Sequence, residues 1–373
     1  MNVLVTGANG FIGRHVVARL REVKNIKIIP FMRGDSDAFL RDALSECDAV
    51  IHLAGENRPK DDIAFQTANV GLTERITKHL RDLDKIAPVI FTSSAQVVLK
   101  NAYGDSKRQA EGLLVQFAKI NKNPIAIFRL PGVFGKWCKP NYNSVVATFC
   151  FNVARGLPVH IEDKDISLNL VFIDDVIQCF LDLMNSRWVG LVYPSVSPQY
   201  SIKLGDLLNR IEGYSNSRNN LITDGVGLGF ARALYSTYVS YLPPHEFSYQ
   251  LKANEDSRGV FVEMLKTVDN GQFSFFTSLP GVTRGRHYHH TKIEKFIVVS
   301  GQARFRFRNI ITDEVLDITT SHLKPTVVES VPGWAHEVTN TGDEKLIVML
   351  WANELFDPQN PDTFACQVEK SYQ

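Results

Sequence analysis

The chain has few of the features that would direct it to a membrane, a nucleic acid or an oxidising compartment. Across its 373 residues no apolar run approaches the roughly 18 needed to cross a bilayer. Neither sign of charge dominates, because 41 lysines and arginines face 40 aspartates and glutamates. No basic field therefore favours nucleic acid or anionic lipid, and a small-molecule substrate is expected. Cysteine is sparse, at positions 47, 138, 150, 179 and 366, odd in number and without CxxC spacing. Reduced thiols in a cytoplasmic protein are the expectation. There is no internal repeat and no low-complexity tract, and the first ten residues already read as a strand and a phosphate loop, so no targeting segment is expected.

The chain does have enough length and apolar content, 44% hydrophobic residues, for two cores. From residue 1 to about 200, short β-branched runs alternate with amphipathic stretches: Asn2 to Val5, Lys27 to Phe31, Ala49 to Leu53, Val89 to Thr92 and Ile125 to Phe128. That rhythm predicts an α/β region, a doubly wound parallel sheet covered on both faces. The segment Arg232 to Tyr249, with Pro243-Pro244, breaks it. Beyond about residue 255 the pattern becomes alternating strands, such as Lys295 to Val299, Ala303 to Arg308, Thr326 to Val331 and Lys345 to Trp351. A small antiparallel all-β barrel is expected there, giving domains at 1–243 and 246–373.

Gly7, Gly10 and Gly13 follow the first strand and open the helical run from Phe11 to Leu20. This context gives the glycines mechanical roles: a tight turn, close backbone approach to a pyrophosphate, and tight packing of helix on strand. A dinucleotide is expected, with Phe11 and Ile12 at the helix start. The second strand runs into Met32-Arg33, where a carboxylate would otherwise bind the ribose of NAD; an arginine suits the 2′-phosphate of NADPH. The alternative is a solvated Arg33 paired with Asp35 or Asp37. Tyr103 and Lys107 lie four apart on one helix face that continues through Glu111, Leu114 and Phe117. The lysine would favour the phenolate, so that Tyr103 exchanges a proton with a substrate oxygen, while Ser93-Ser94 ends the preceding strand and offers a hydroxyl to the same oxygen. The alternative is a half-buried tyrosine and a solvated lysine.

Together with His52-Leu53-Ala54-Gly55, Arg129-Leu130-Pro131-Gly132 and Phe172-Ile173-Asp174-Asp175-Val176, these motifs resemble the extended short-chain dehydrogenase/reductases that act on nucleotide sugars. The resemblance covers roughly residues 1 to 240. It implies a Rossmann-type fold in which Ser94 and Tyr103 contact a sugar carbonyl, Lys107 holds the nicotinamide ribose, and Leu53 and Ala54 line the cofactor. Related 4,6-dehydratases carry an Asp-Glu pair after the catalytic hydroxyl residue; this chain has Ala95-Gln96, which argues against elimination. The stretch between Ser94 and Tyr103 is also shorter than usual in that family. Lys136 to Lys139 are candidates for the sugar-nucleotide pyrophosphate, with a solvated loop as the alternative.

A second signature reads Gly281, five residues, His287, one residue, His289, four residues, Glu294, six residues, Gly301. Two histidines two apart face the same side of a strand, and a carboxylate five residues later can return across a turn. His336 would complete a set of three nitrogens and one oxygen, which suits Zn²⁺, Fe²⁺, Ni²⁺ or Mn²⁺ with positions left open. With Pro332-Gly333-x-x-His336-x-x-x-Asn340, the pattern resembles the two motifs of the cupin (jelly-roll) family, the second motif lacking the usual residue between proline and glycine. Arg284-Gly285-Arg286-His287-Tyr288 also resembles the cupin sugar 3,5-epimerases, in which a histidine acts as base without metal. His287 is thus a ligand or a base, and His290, Lys292 and His322 are further acid/base candidates. A solvated histidine cluster is the bland alternative.

A 4-keto sugar links the two signatures, because its carbonyl acidifies the proton on C3 and can then be reduced. The whole chain resembles the capsular polysaccharide synthesis family CapF, also called WbjC. That resemblance implies a bifunctional, cytoplasmic, Zn²⁺-containing homodimer with a UDP-sugar substrate. The cupin would epimerise C3 of a UDP-2-acetamido-2,6-dideoxy-4-hexulose, and the N-terminal domain would reduce C4 with NADPH to UDP-2-acetamido-2,6-dideoxy-L-talose, on the way to UDP-N-acetyl-L-fucosamine. Two alternatives are a plain NADPH-dependent 4-keto sugar reductase with a structural cupin, and a redox-neutral nucleotide-sugar 4-epimerase.

Overall fold

A computed structural model describes residues 1–58, 61, 63–223, 225–251, 254–256, 259–261, 265–267, 271–354 and 359–369. The N-terminal part alternates strand and helix: β1 (Asn2–Thr6), α1 (Phe11–Glu22), β2 (Lys27–Phe31), α2 (Asp37–Glu46) and β3 (Ala49–His52). A short α3 (Ile63–Phe65) runs through a π-helical turn, Gln66–Gly71, into α4 (Leu72–Asp82), followed by β4 (Val89–Ser94), α5 (Ala102–Ile120) and β5 (Ile125–Leu130). Next come β6 (Gly132–Phe134), α6 (Val145–Val153), β7 (Ser167–Phe172), α7 (Ile173–Asn185), β8 (Leu191–Val192) and β9 (Gln199–Lys203).

Strands β2, β1, β3, β4, β5 and β8 form a parallel sheet in that order. The expected strands therefore pair in parallel, as the βαβ rhythm requires, in a Rossmann-type fold. Alternation along β1 sends Leu4 into a core with Leu40, Leu44, Ile76, Leu80, Leu114 and Phe117 from α2, α4 and α5. Val3 and Val5, also fully buried, point the other way. On the helical side, α1 packs with α7. Because β1 lies between β2 and β3, the order reverses beside it, and the carboxyl ends of β1 and β3 border the crevice where such sheets bind ligands.

The C-terminal part opens with α8 (Leu204–Asn220), β10 (Ile222–Thr223) and α9 (Gly229–Ser240). The helix α9 occupies much of the segment where the rhythm was expected to break, and Pro243-Pro244 ends it. Short strands follow: β11 (Ser248–Gln250), β12 (Asn254–Asp256), β13 (Gly259–Phe261) and β14 (Lys266–Thr267). The remainder is all β: β15 (Gln272–Ser278), β16 (Thr283–Tyr288), β17 (Glu294–Ser300), β18 (Gln302–Asn309), β19 (Val315–Ser321), β20 (Thr326–Glu329), β21 (Trp334–Asn340), β22 (Leu346–Ala352) and β23 (Phe364–Ala365). Two five-stranded sheets result, β11-β20-β17-β22-β15 and β19-β18-β21-β16-β23, antiparallel in all their paired strands. Phe296 on one sheet meets Phe305 on the other at 5.6 Å between ring centroids, which marks the core between them.

In space the chain divides less simply than along its length. One compact unit holds residues 1–134, 141–144 and 168–201; the other holds 135–140, 145–167 and everything from 202 onward. Helices α6, α8 and α9 therefore pack in the same unit as the all-β region, with α6 against both α8 and α9. A buried ionic group reinforces that unit. Glu329 accepts from Lys295 at 3.0 Å and pairs with Arg218 of α8, and all three side chains are at most 12% exposed.

Candidate active sites

In the first unit, the turn after β1 is shaped by close approach. Gly7 has φ +68°, and a Cβ there would lie 2.8 Å from the Ala54 backbone. A Cβ on Gly13 would fall 2.1 Å from the Gly7 carbonyl oxygen. These two positions hold α1, β1 and the end of β3 closer together than any side chain permits. Gly10 donates its N–H to the Gly7 carbonyl at 2.9 Å and caps α1 without a side chain. The first turn, beginning at Phe11 and Ile12, contains no acidic residue. Its N–H groups and the positive end of the helix dipole suit a pyrophosphate. Leu53 and Ala54 donate their N–H groups to Thr6 Oγ1 at 3.1 and 3.2 Å, which fixes them beside Gly7. The residues thus fit a nicotinamide dinucleotide.

Arg33 stands 85% exposed after β2, and its guanidinium pairs with Glu56. The expected alternatives, Asp35 and Asp37, are otherwise engaged: Asp35 accepts the Met32 N–H at 2.7 Å, and Asp37 pairs with Arg75 and His79. Glu56 was not singled out in the sequence, although it directly follows the His52-to-Gly55 motif. Asn69 was also missed. Buried in the π-helical turn, its Oδ1 accepts the Glu56 N–H at 2.7 Å, and its Nδ2 donates to Ser106 Oγ at 2.9 Å. A buried asparagine inside a helix is the signal that could have found it.

Ser94, Tyr103 and Lys107 lie together at the end of β4 and the start of α5. Burial raises the Tyr103 hydroxyl above its usual pKa, and a hydrogen bond with Ser94 partly offsets the rise. Lys107 is 5% exposed, not solvated; it donates to the Thr92 carbonyl at 3.1 Å and stands 5.1 Å over the Phe91 ring. Burial pulls its ammonium down to about 8, against an upward pull from Glu111. The Lys107 ammonium is turned to the Thr92 carbonyl, and burial and Ser94 are the causes of the Tyr103 shift. A Cβ on Gly55 would come within 3.1 Å of Lys107 Nζ, so the lysine reaches the loop that carries Leu53 and Ala54.

In the second unit, His287, His289, Glu294 and His336 bring their ligand atoms within 4.8 Å of one another. His287 and His336 are direct partners across β16 and β21, while Glu294 begins β17 in the other sheet. Strand β16 ends at Tyr288, so His289 lies in the loop beyond and reaches the cluster by a bend rather than by strand alternation. Its Nε2 lies 3.2 Å from Glu294 Oε2, and His336 Nε2 lies 3.4 Å from the same oxygen. Burial pushes the Glu294 carboxyl up, but hydrogen bonds from both histidines outweigh it and leave it well below its usual value. Burial, with His336 and His289 adding to it, lowers His287 to about 3; burial also lowers His336. Three imidazoles around a carboxylate form a donor set that fits a divalent cation.

The other basic candidates separate. Lys292 Nζ lies 3.6 Å from Glu294 Oε1, the carboxylate oxygen turned away from His289 and His336. His290 is buried against the rings of Tyr288 and Phe364. His322 is exposed and bonded through Nδ1 to the Gly301 carbonyl at 3.1 Å, so it does not join the cluster. Lys136, a candidate for the sugar-nucleotide pyrophosphate with a solvated loop as the alternative, is 2% exposed and donates to the His290 carbonyl at 3.4 Å; Lys139 is exposed.

Comparison with known proteins matches both regions. Residues 3–190 match the NAD dependent epimerase/dehydratase family, and residues 254–364 match the polysaccharide biosynthesis C-terminal domain. The chain is 49% identical over 368 residues to a UDP-2-acetamido-2,6-beta-L-arabino-hexul-4-ose reductase of Pseudomonas aeruginosa, covering 99% of both chains. The crystal structure of the capsular polysaccharide assembling protein CapF from Staphylococcus aureus matches with a TM-score of 0.68 and 38% identity, over 99% of this chain and 100% of that one. A UDP-glucuronic acid 4-epimerase from Bacillus cereus shares the fold of the N-terminal part, at 20% identity over 58% of this chain and 83% of that one, with a TM-score of 0.53. End-to-end identity of this extent, carried by both regions at once, places the chain in the CapF/WbjC family.

Proposed function

We propose that the chain is a bifunctional nucleotide-sugar enzyme that inverts C3 of a UDP-2-acetamido-2,6-dideoxy-4-hexulose and then reduces C4 with NADPH, giving UDP-2-acetamido-2,6-dideoxy-L-talose. The observation that carries this reading is the presence, on one chain, of the Ser94-Tyr103-Lys107 group and the four-residue His/Glu cluster. The name of the Pseudomonas aeruginosa relative supports the substrate class and the reduction. In this reading residues 1–243 act as the reductase and residues 246–373 as a cupin. The enzyme works in the cytoplasm, where NADPH and nucleotide sugars are found, as a homodimer; among the described residues no helix is long and apolar enough to cross a membrane.

At the cupin site, His287, His289, Glu294 and His336 would hold a divalent cation, with Zn²⁺ the one that the family resemblance implies. When bound, it favours negative charge on the sugar's 4-oxygen as the C3 proton leaves. The C3 proton goes to a neutral base that exchanges with solvent, and a solvent-derived proton is delivered to the opposite face. His287, kept neutral by burial, serves as that base only if it is not bound to the cation; Lys292 and His290 are the neighbouring groups able to carry the proton. At the reductase site, Gly7, Gly10 and Gly13 would bring the backbone to the pyrophosphate and Leu53 and Ala54 would line the cofactor. Arg33 would meet the 2′-phosphate, and NADPH would supply the hydride for C4. Tyr103 gives its hydroxyl proton to the C4 oxygen, Ser94 donates a hydrogen bond to the same oxygen, and Lys107 holds the nicotinamide ribose and favours the tyrosinate that remains.

Stripping the metal by chelation, or the substitution His336→Ala, tests the division of labour. Both should abolish solvent exchange at C3 by at least about 100-fold, as expected for loss of charge stabilisation at the reacting centre. Reduction of sugar supplied already epimerised should continue. Normal exchange after verified metal removal would mean that the metal has no part in the epimerisation and would leave His287 as a metal-free base.

A further inference from the structure

The loop between β16 and β17 carries His289, and its backbone is gathered by a residue 73 positions further on. The N–H groups of His290, Thr291 and Lys292 all point to the carboxylate of Asp362. His290 donates to Oδ1 at 2.8 Å, and Thr291 and Lys292 donate to Oδ2 at 2.7 Å each. The Thr291 hydroxyl adds a fourth bond at 3.0 Å. Successive N–H groups turned to one side form a concave anion site. Here the chain fills that site with its own carboxylate.

The same residue also contacts the ring of the ligand histidine. The backbone carbonyl of Asp362 bonds Nδ1 of His289. A carbonyl can only accept, so Nδ1 is the donor in that bond, and a cation held in the cluster would take the lone pair of Nε2, the atom facing Glu294. Thr363, next in the chain, accepts from Lys292 Nζ at 3.3 Å, which holds the ammonium beside Glu294 Oε1. Strand β23 then pairs Phe364 and Ala365 with Tyr288 and His287 of β16. A single tail segment thus reaches His289, Lys292 and the strand that bears His287.

We propose that Asp362 is a positioning residue of the metal centre, setting the tautomer and direction of His289 and the place of Lys292; this rests on reading the cluster as a metal site. The full chain is stripped and reloaded with Co²⁺ as wild type, D362A, D362N and D362E. Affinity is read by competition against a chelator, the centre's geometry by its visible absorption, and folding by circular dichroism. Loss of a residue that orients a metal-bound histidine weakens binding by about 10- to 100-fold. D362A should show that loss with an altered Co²⁺ band, and D362E should recover part of the affinity through its carboxylate. D362N, close in size but presenting an amide to three N–H groups, should fall between and decides the matter if D362A does not fold. Unchanged affinity and spectrum in folded D362A or D362N would overturn the proposal alone. A wild-type chain that takes up no Co²⁺ would overturn the metal reading, and this proposal with it.

Discussion

Burial acts on Tyr103 and Lys107 in opposite directions, raising the pKa of the phenol and lowering that of the ammonium, and both shifts disfavour charge at the place where charge must develop. For Lys107 this has a consequence for stability. Its folded pKa of about 8 lies below the usual 10.5, so the unfolded chain binds the proton more tightly. The cost to folding is fully present below pH 8, shrinks as pH rises from 8 toward 10.5, and is gone above that range. Lys107→Met should therefore raise stability at pH 7 by roughly 1 to 2 kcal/mol after the lost bond to Thr92 is allowed for. The gain should fade in alkaline solution, while reduction falls by at least about 100-fold. Denaturant titrations at pH 7 and pH 10 check this, and an equal effect at both would refute it. The Tyr-Lys spacing was legible because it is local to one helix face. The partner of Arg33 was not, since Glu56 follows a different strand and meets it only through the parallel pairing on either side of β1.

Among the elements, the turn from β1 into α1 carries the tightest constraint. The glycine pattern showed it in the sequence because close approach leaves no residue but glycine, and the structure gives the dimension: Gly13 has no room for a single methyl. Gly13→Ala should push α1 from the turn, lowering stability by about 1 to 3 kcal/mol and weakening dinucleotide binding more than sugar binding. Thermal unfolding with and without NADPH would measure both, and full cofactor stabilisation in the variant would contradict the assigned role. The loop between β16 and β17 was half legible. Its histidines announced themselves by spacing, but the carboxylate that shapes it comes from beyond β22, and no local pattern marks Asp362 as its partner. The same holds for Lys136, which the sequence presents as one of a pair of loop lysines and the fold buries.

For the whole molecule, the change from βαβ rhythm to alternating strands made the two architectures legible, since hydrophobic periodicity is a property of each segment. The packing of α6, α8 and α9 in the unit of the all-β region was not, because it depends on contacts such as Arg218 with Glu329 that link segments far apart in the chain. The account's central claim is that two chemical steps belong to one chain. Its most direct test is to incubate the full chain with NADPH and UDP-2-acetamido-2,6-dideoxy-4-hexulose in deuterated water, then locate the isotopes in the product by NMR. The account predicts deuterium at C3 and protium from NADPH at C4, with one NADPH consumed per product. Reduction at C4 without deuterium at C3 would contradict it and leave the C-terminal region without a chemical step.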